Sequence, residues 1–126
     1  MSASALSFRA AVAFAIAGMI WGLVMAISED HSTLTAHAHL NLLGWVSLFL
    51  FGIYYRLHPL LDGTRIAFVQ VWVWIIATII LTIGVGLVYT GHAIGRPPAA
   101  FGSVVALCDM LVFGWIVLSR SSKAIA

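Results

Sequence analysis

Residues 37–55 read HAHLNLLGWVSLFLFGIYY. Beyond the two histidines, the stretch is almost wholly apolar, and about 19 helical residues suffice to cross the roughly 30 Å of hydrocarbon in a bilayer. Read as a membrane-crossing helix, it fixes the class of the whole chain. Its first residues also pose the functional question. Hydrocarbon is a poor environment for imidazole unless something offsets the burial. His37 and His39 at the mouth of such a helix therefore suggest a ligand: heme, a metal ion or a proton path.

Outward from this stretch the pattern repeats. The chain has 126 residues, of which 63% are hydrophobic and 8% charged. A soluble domain of this size does not need so much apolar surface. Four apolar stretches, over residues 8–27, 36–56, 67–91 and 101–120, predict an all-α, integral membrane four-helix bundle in a single domain spanning 1–126. The loops between them are too short to hold another domain. The first stretch has an early Arg9, as a signal peptide would, but it is longer than a signal core and lacks a convincing small-x-small cleavage site. It is expected to be retained.

The single cysteine, Cys108, cannot form an intrachain disulfide. The net charge of +2 rests on few residues, and no nucleic-acid partner is expected; the placement of the charges is more informative. Arg9, Arg56, Arg65, Arg120 and Lys123 fall in the N-terminus, the second loop and the C-terminus. Four helices put those segments on one side, so the positive-inside rule predicts both termini in the cytoplasm. His31, His37, His39 and His92 then lie toward the outer face, and His58 lies toward the cytoplasm.

Each helix carries some polar or small-residue signal. Gly18 and Gly22, four apart in the first helix, form a small-xxx-small pair suited to close helix packing. Ser32, Thr33 or Thr35 would cap the second helix. On a regular helix His37 and His39 are about 200° apart, on nearly opposite faces. Two ligands, or one ligand and one packing residue, suit that geometry better than a shared ion. Asn41 and Gly44 lie on the His37 side, where Asn41 would bond a cofactor edge or a neighbouring helix and Gly44 would admit a flat ligand or another backbone. Pro59 is expected to end the helix. In the third helix Thr78, Thr82 and Gly86 make a weakly polar stripe, read as packing or as room for a porphyrin. Gly95-Arg96-Pro97-Pro98 breaks the chain before the fourth helix. There Asp109 is the only acid within a membrane segment, and so a functional candidate. Thr78, Thr82 or a histidine are its expected partners.

His37-Ala38-His39 through Gly44-Trp45, followed by Phe51-Gly52-Ile53-Tyr54-Tyr55 and Pro59, resembles subunit I of the heme-copper oxidases, in particular the C-type cytochrome c oxidases and nitric oxide reductases. The resemblance implies that His37 matches the ligand of the high-spin heme and His39 that of the low-spin heme, on opposite faces of one helix. It implies a fold like one four-helix arc of that subunit. The family's catalytic subunit joins three such arcs and adds histidine-bearing helices that this chain lacks, so one copy does not assemble the reaction centre. A homo-oligomer would supply repeated histidines by symmetry. Three copies would imitate the three arcs, and a dimer with heme on its two-fold axis is the alternative.

The leading expectation is therefore a membrane-embedded b-type heme protein for electron transfer or diatomic gas binding, with His37, His39, His92, Asn41, Gly44 and Trp45 as cofactor-binding residues and His37 and His39 as iron ligands. A copper or zinc site among His31, His37, His39 and His92 is the second reading. The third is a cofactor-free accessory or assembly subunit of a respiratory oxidase. Enzymatic activity stays open. The expected location is a bacterial inner membrane, with a redox partner or oxidase nearby.

Overall fold

The computed structural model describes residues 1–124, with side chains through Ser119. The side chains of Arg120 and Lys123, counted in the charge argument, lie outside the described residues. Four helices are long and apolar enough to span a membrane. They are α1 (Ala3–Ser28), α2 (Leu34–Leu57), α3 (Arg65–Tyr89) and α4 (Arg96–Ala124). No strand occurs among the described residues.

The helix ends follow local chemistry that composition alone obscures. α1 begins at Ala3, earlier than the apolar run, because the Ser2 side chain accepts from the Ala5 N–H and caps it. α1 stops at Glu29, which takes a left-handed backbone (φ 56). Thr64 caps α3 at the Ala67 N–H. Pro97 and Pro98 do not delay α4 to residue 101; they sit in its first turn, where a missing N–H costs nothing. Pro59 likewise opens a short helix, Pro59–Asp62, after α2 has ended at Leu57. Thr33 takes the N-cap position of α2 but makes no side-chain cap; its Oγ1 accepts instead from Trp21 Nε1 at 2.9 Å.

α2 is not a uniform α-helix. Leu34–His39 and Leu48–Leu57 are α-helical, and Leu40–Ser47 between them is a π-helix. The wider winding leaves carbonyls for outside donors. Ser47 Oγ donates to Leu42 O at 2.9 Å, and the buried indole of Trp74, on α3, donates to Leu43 O at 2.9 Å. The bond from Trp74 ties α2 to α3 at the level of the π segment.

α1 and α2 pack as reciprocal knobs and notches. On α2, a Cβ at Gly52 or at Gly44 would meet Phe8 or Phe14 of α1 at 2.7 Å. On α1, a Cβ at Gly18 would collide with Asn41 Oδ1, and one at Gly22 would meet His37 Cε1 at 3.2 Å. Ser7 Oγ donates to Leu48 O at 2.6 Å between these contacts. α3 is central and touches α1, α2 and α4. Its approach to α4 is closest where Gly84 faces Ala99 and Gly102 faces Leu81, backbone against backbone. Phe113 of α4 reaches back to α2, with its ring centroid 4.3 Å from that of Phe51.

Candidate functional site

The faces of α2 divide the predicted site residues. Positions 37, 41, 44, 48 and 52 face α1, while Ala36, Leu43, Phe51 and Tyr55 contact α3. His37 and His39 are half-buried and precede the π segment, so their divergence of about 200° is that of a regular helix.

His37 lies in the α1–α2 seam. Its ring covers Gly22 and presents an edge to Trp21, with centroids 6.5 Å apart. Asn41 Nδ2 donates to His37 O at 2.9 Å and lies 3.3 Å from each ring nitrogen. Asn41 is thus held between the His37 turn and the notch at Gly18. The space beside Gly44 is filled by Phe14, and Trp45 packs on Phe49 with centroids 5.0 Å apart.

His39 is bound differently. Its Nδ1 is 2.8 Å from Thr35 O. A carbonyl only accepts, so Nδ1 carries a proton, and in the neutral ring Nε2 is the nitrogen that keeps the lone pair. This is how a protein fixes the tautomer and aim of a ligating imidazole. His92 is exposed in the turn after α3, with Nδ1 3.1 Å from Thr90 Oγ1. Gly86 of α3 lies against Ala36 and Trp21, so His92 sits at the same end of the molecule as His37 and His39. Among the described residues no three His, Cys, Asp or Glu side chains converge as a metal-ion site.

Asp109 does not pair with Thr78, Thr82 or a histidine. Gln70 Nε2 donates to Asp109 Oδ2 at 2.7 Å, and Tyr55 OH donates to Gln70 Oε1 at 2.8 Å. Register explains the difference. Gly102 faces Leu81 in the antiparallel α3–α4 pair, so Asp109, seven residues later, is level with Trp74, seven residues earlier. The long amide of Gln70 bridges the remaining turn from below. Thr78 and Thr82 are buried, and their hydroxyls have no hydrogen-bond partner. Sequence reasoning assigned Gln70 no role and Tyr55 only a place in the heme-copper-like run; the signal for the pair was a glutamine inside an apolar helix.

At the Arg56 end, Asp62 accepts from Ser4 N at 2.6 Å and Ser4 Oγ at 2.7 Å. Burial pushes its carboxyl up, but the Ser4 and Ser2 hydrogen bonds and the charge of Arg56 outweigh this and hold it below the usual carboxylate range.

Together the described residues form a helical membrane protein with four helices long and apolar enough to span a bilayer. Comparison with profiles of known protein families, with characterised proteins and with solved structures finds no match to this chain.

Proposed function

We propose that this chain is a membrane-embedded b-type heme protein, with His39 as an axial ligand. The observation that carries the reading is the half-burial of His39 within a membrane span, with Nδ1 engaged by Thr35 O so that in the neutral ring Nε2 is left to ligate; His58 makes the same bond to Tyr54 O but is exposed. Heme also suits a lone histidine better than a bare ion does. The porphyrin supplies four nitrogens of its own, whereas copper or zinc bound by protein alone takes three or four side chains, and the described residues of one copy bring no such set together.

The α1–α2 seam is filled at His37 and Gly44, so the residues fit a heme on the outward side of His39 and do not fit one inside the seam. His37, Asn41, Gly44 and Trp45 then shape the helix that carries the ligand. When bound, heme supplies one-electron iron chemistry. Thr35 O holds the imidazole tautomer, and the Trp74 bond fixes the following π segment against α3. The likeness of the His37–Trp45 run to heme-copper oxidase subunit I supports the same reading.

A second copy completes the coordination. Three copies arranged head to tail pair His39 of one with His92 of the next; two copies pair His39 with its symmetry mate. The trimer is favoured because it repeats the three-arc plan of that family. The charge distribution supports a topology with both termini in the cytoplasm; the proposed host is a bacterial inner membrane and the proposed partner a respiratory redox protein.

The test is an optical spectrum of the detergent-purified protein, oxidised and reduced, with pyridine hemochrome quantitation. A sharp reduced α band of b-type heme is expected, lost in His39→Ala and kept in His58→Ala. A protein that stays colourless after heme reconstitution, or a His39→Ala spectrum like the wild type, refutes the assignment.

A further inference from the structure

The outer surface of the α3–α4 pair carries a groove of about 330 Å³. Its rim is exposed and apolar, as at Ile66, Val69 and Val104, and Cys108 lies on it. Half-buried Val73 and Val105 form its walls. Two buried polar side chains break this lining: Gln70, 2% exposed, and Asp109, 5% exposed.

The orientation of that pair is determined. Tyr55 OH occupies the Gln70 carbonyl oxygen, so the amide nitrogen must turn toward Asp109. Gln70 engages Asp109 Oδ2 and leaves Oδ1 for an occupant. An amide between a phenol and a carboxyl is a poor proton conductor, so the chain Tyr55–Gln70–Asp109 serves to aim the carboxyl rather than to carry protons. Asp109 lies ten residues, about 15 Å along the helix, before Ser119, where the apolar span ends within α4, below the depth of lipid headgroups.

An occupant must therefore enter from the hydrocarbon, fit a small groove, and offer a hydrogen-bonding group well below the headgroups. A charged phosphate does not enter from the hydrocarbon. A quinone ring meets all three conditions: it is flat and lipid-soluble, its carbonyl accepts from a protonated carboxyl, and its reduced hydroxyl donates to an ionised one. We propose that this groove is a binding site for the ring of a lipid-soluble quinone or quinol, with Asp109 as the residue that recognises the ring oxygen. The site does not depend on heme being bound.

Cys108, the only cysteine in the chain, is a built-in reporter. The full-length protein in lipid nanodiscs is labelled with a membrane-permeant maleimide, with and without a decyl-chain benzoquinone whose ring positions are all substituted so that it cannot add to the thiol. Saturable protection of Cys108 is expected. Asp109→Leu should raise the half-protecting concentration about tenfold or more, as loss of one buried hydrogen bond implies. Asp109→Asn, which still donates and accepts, should retain protection. Val105→Phe, which fills the groove beside Asp109, should abolish ligand-dependent protection. Equal protection by decylbenzene or decanol refutes recognition of the ring oxygen. Shielding of Cys108 without ligand that grows with protein concentration shows that a second copy covers the groove and overturns the proposal.

Discussion

At the residue scale, glycines do more to define this molecule than its aromatic side chains. A Cβ at Gly102 would lie 2.7 Å from the backbone nitrogen of Leu81, which has no flexible end to move aside, whereas a Cβ at Gly114 would meet nothing within 4 Å. Gly102→Ala must therefore push α3 and α4 apart. It should cost about 1–3 kcal/mol, read as a lower thermal midpoint in detergent, while Gly114→Ala should not lower it. Equal midpoints would mean that α3 and α4 do not meet backbone to backbone. The sequence marked Gly18 and Gly22 as packing positions, and the structure places Asn41 and His37 on them. It left Gly44 open to a ligand or a neighbouring helix, because a glycine advertises space without naming what fills it. Here Phe14 fills it. His39 was legible as a histidine out of place in hydrocarbon. Its bond to Thr35 was not, because spacing alone does not choose between competing hydrogen-bond partners.

At the element scale, the four spans were plain from hydropathy, and their ends were less so. α1 extends to Ala3 because Ser2 caps it locally and Asp62 receives its first turn, the latter a contact across 58 residues of sequence that no local pattern reveals. Because the folded-state titration of Asp62 is lowered, its contribution is present above the ordinary carboxylate range and is lost as pH falls through the folded value. Thermal stability should therefore fall on acidification from about pH 5 toward pH 3. Asp62→Asn should start lower, by about 1 kcal/mol for a lost cap, and show a flatter profile over that range. Parallel profiles in the two proteins would sever the link to this carboxyl. The π segment is a second long-range effect. Its freed Leu43 carbonyl is met by an indole from another helix, so the residues of α2 alone do not announce it. Trp74→Phe keeps most of the buried ring but strands that carbonyl. A loss of about 1–3 kcal/mol is expected, whereas an unchanged midpoint would show that the carbonyl finds another donor.

At the scale of the whole molecule, the helices form an open arrangement around α3 rather than a symmetrical four-cornered bundle, because α4 packs chiefly on α3. Regular bundles commonly build cofactor sites in a central core, but here the centre is occupied by α3 itself, with Trp74, Thr78 and Leu81 buried along it. On the proposed reading a large planar cofactor would therefore sit at the periphery, at His39, and its second protein ligand would come from another copy. The two ways of supplying that ligand differ in stoichiometry. A head-to-tail trimer joining His39 to His92 of the next copy closes a ring with one heme per chain, whereas a two-fold dimer joining His39 to its mate holds one heme per two chains. Light scattering of the detergent-solubilised particle, combined with hemochrome quantitation, should give three chains and three hemes, and His92→Ala should convert the spectrum from low-spin to high-spin while leaving the heme bound. Two chains sharing one heme, with a spectrum indifferent to His92, would instead put the two-fold axis through the iron and make the His39 face, rather than the turn after α3, the contact between copies.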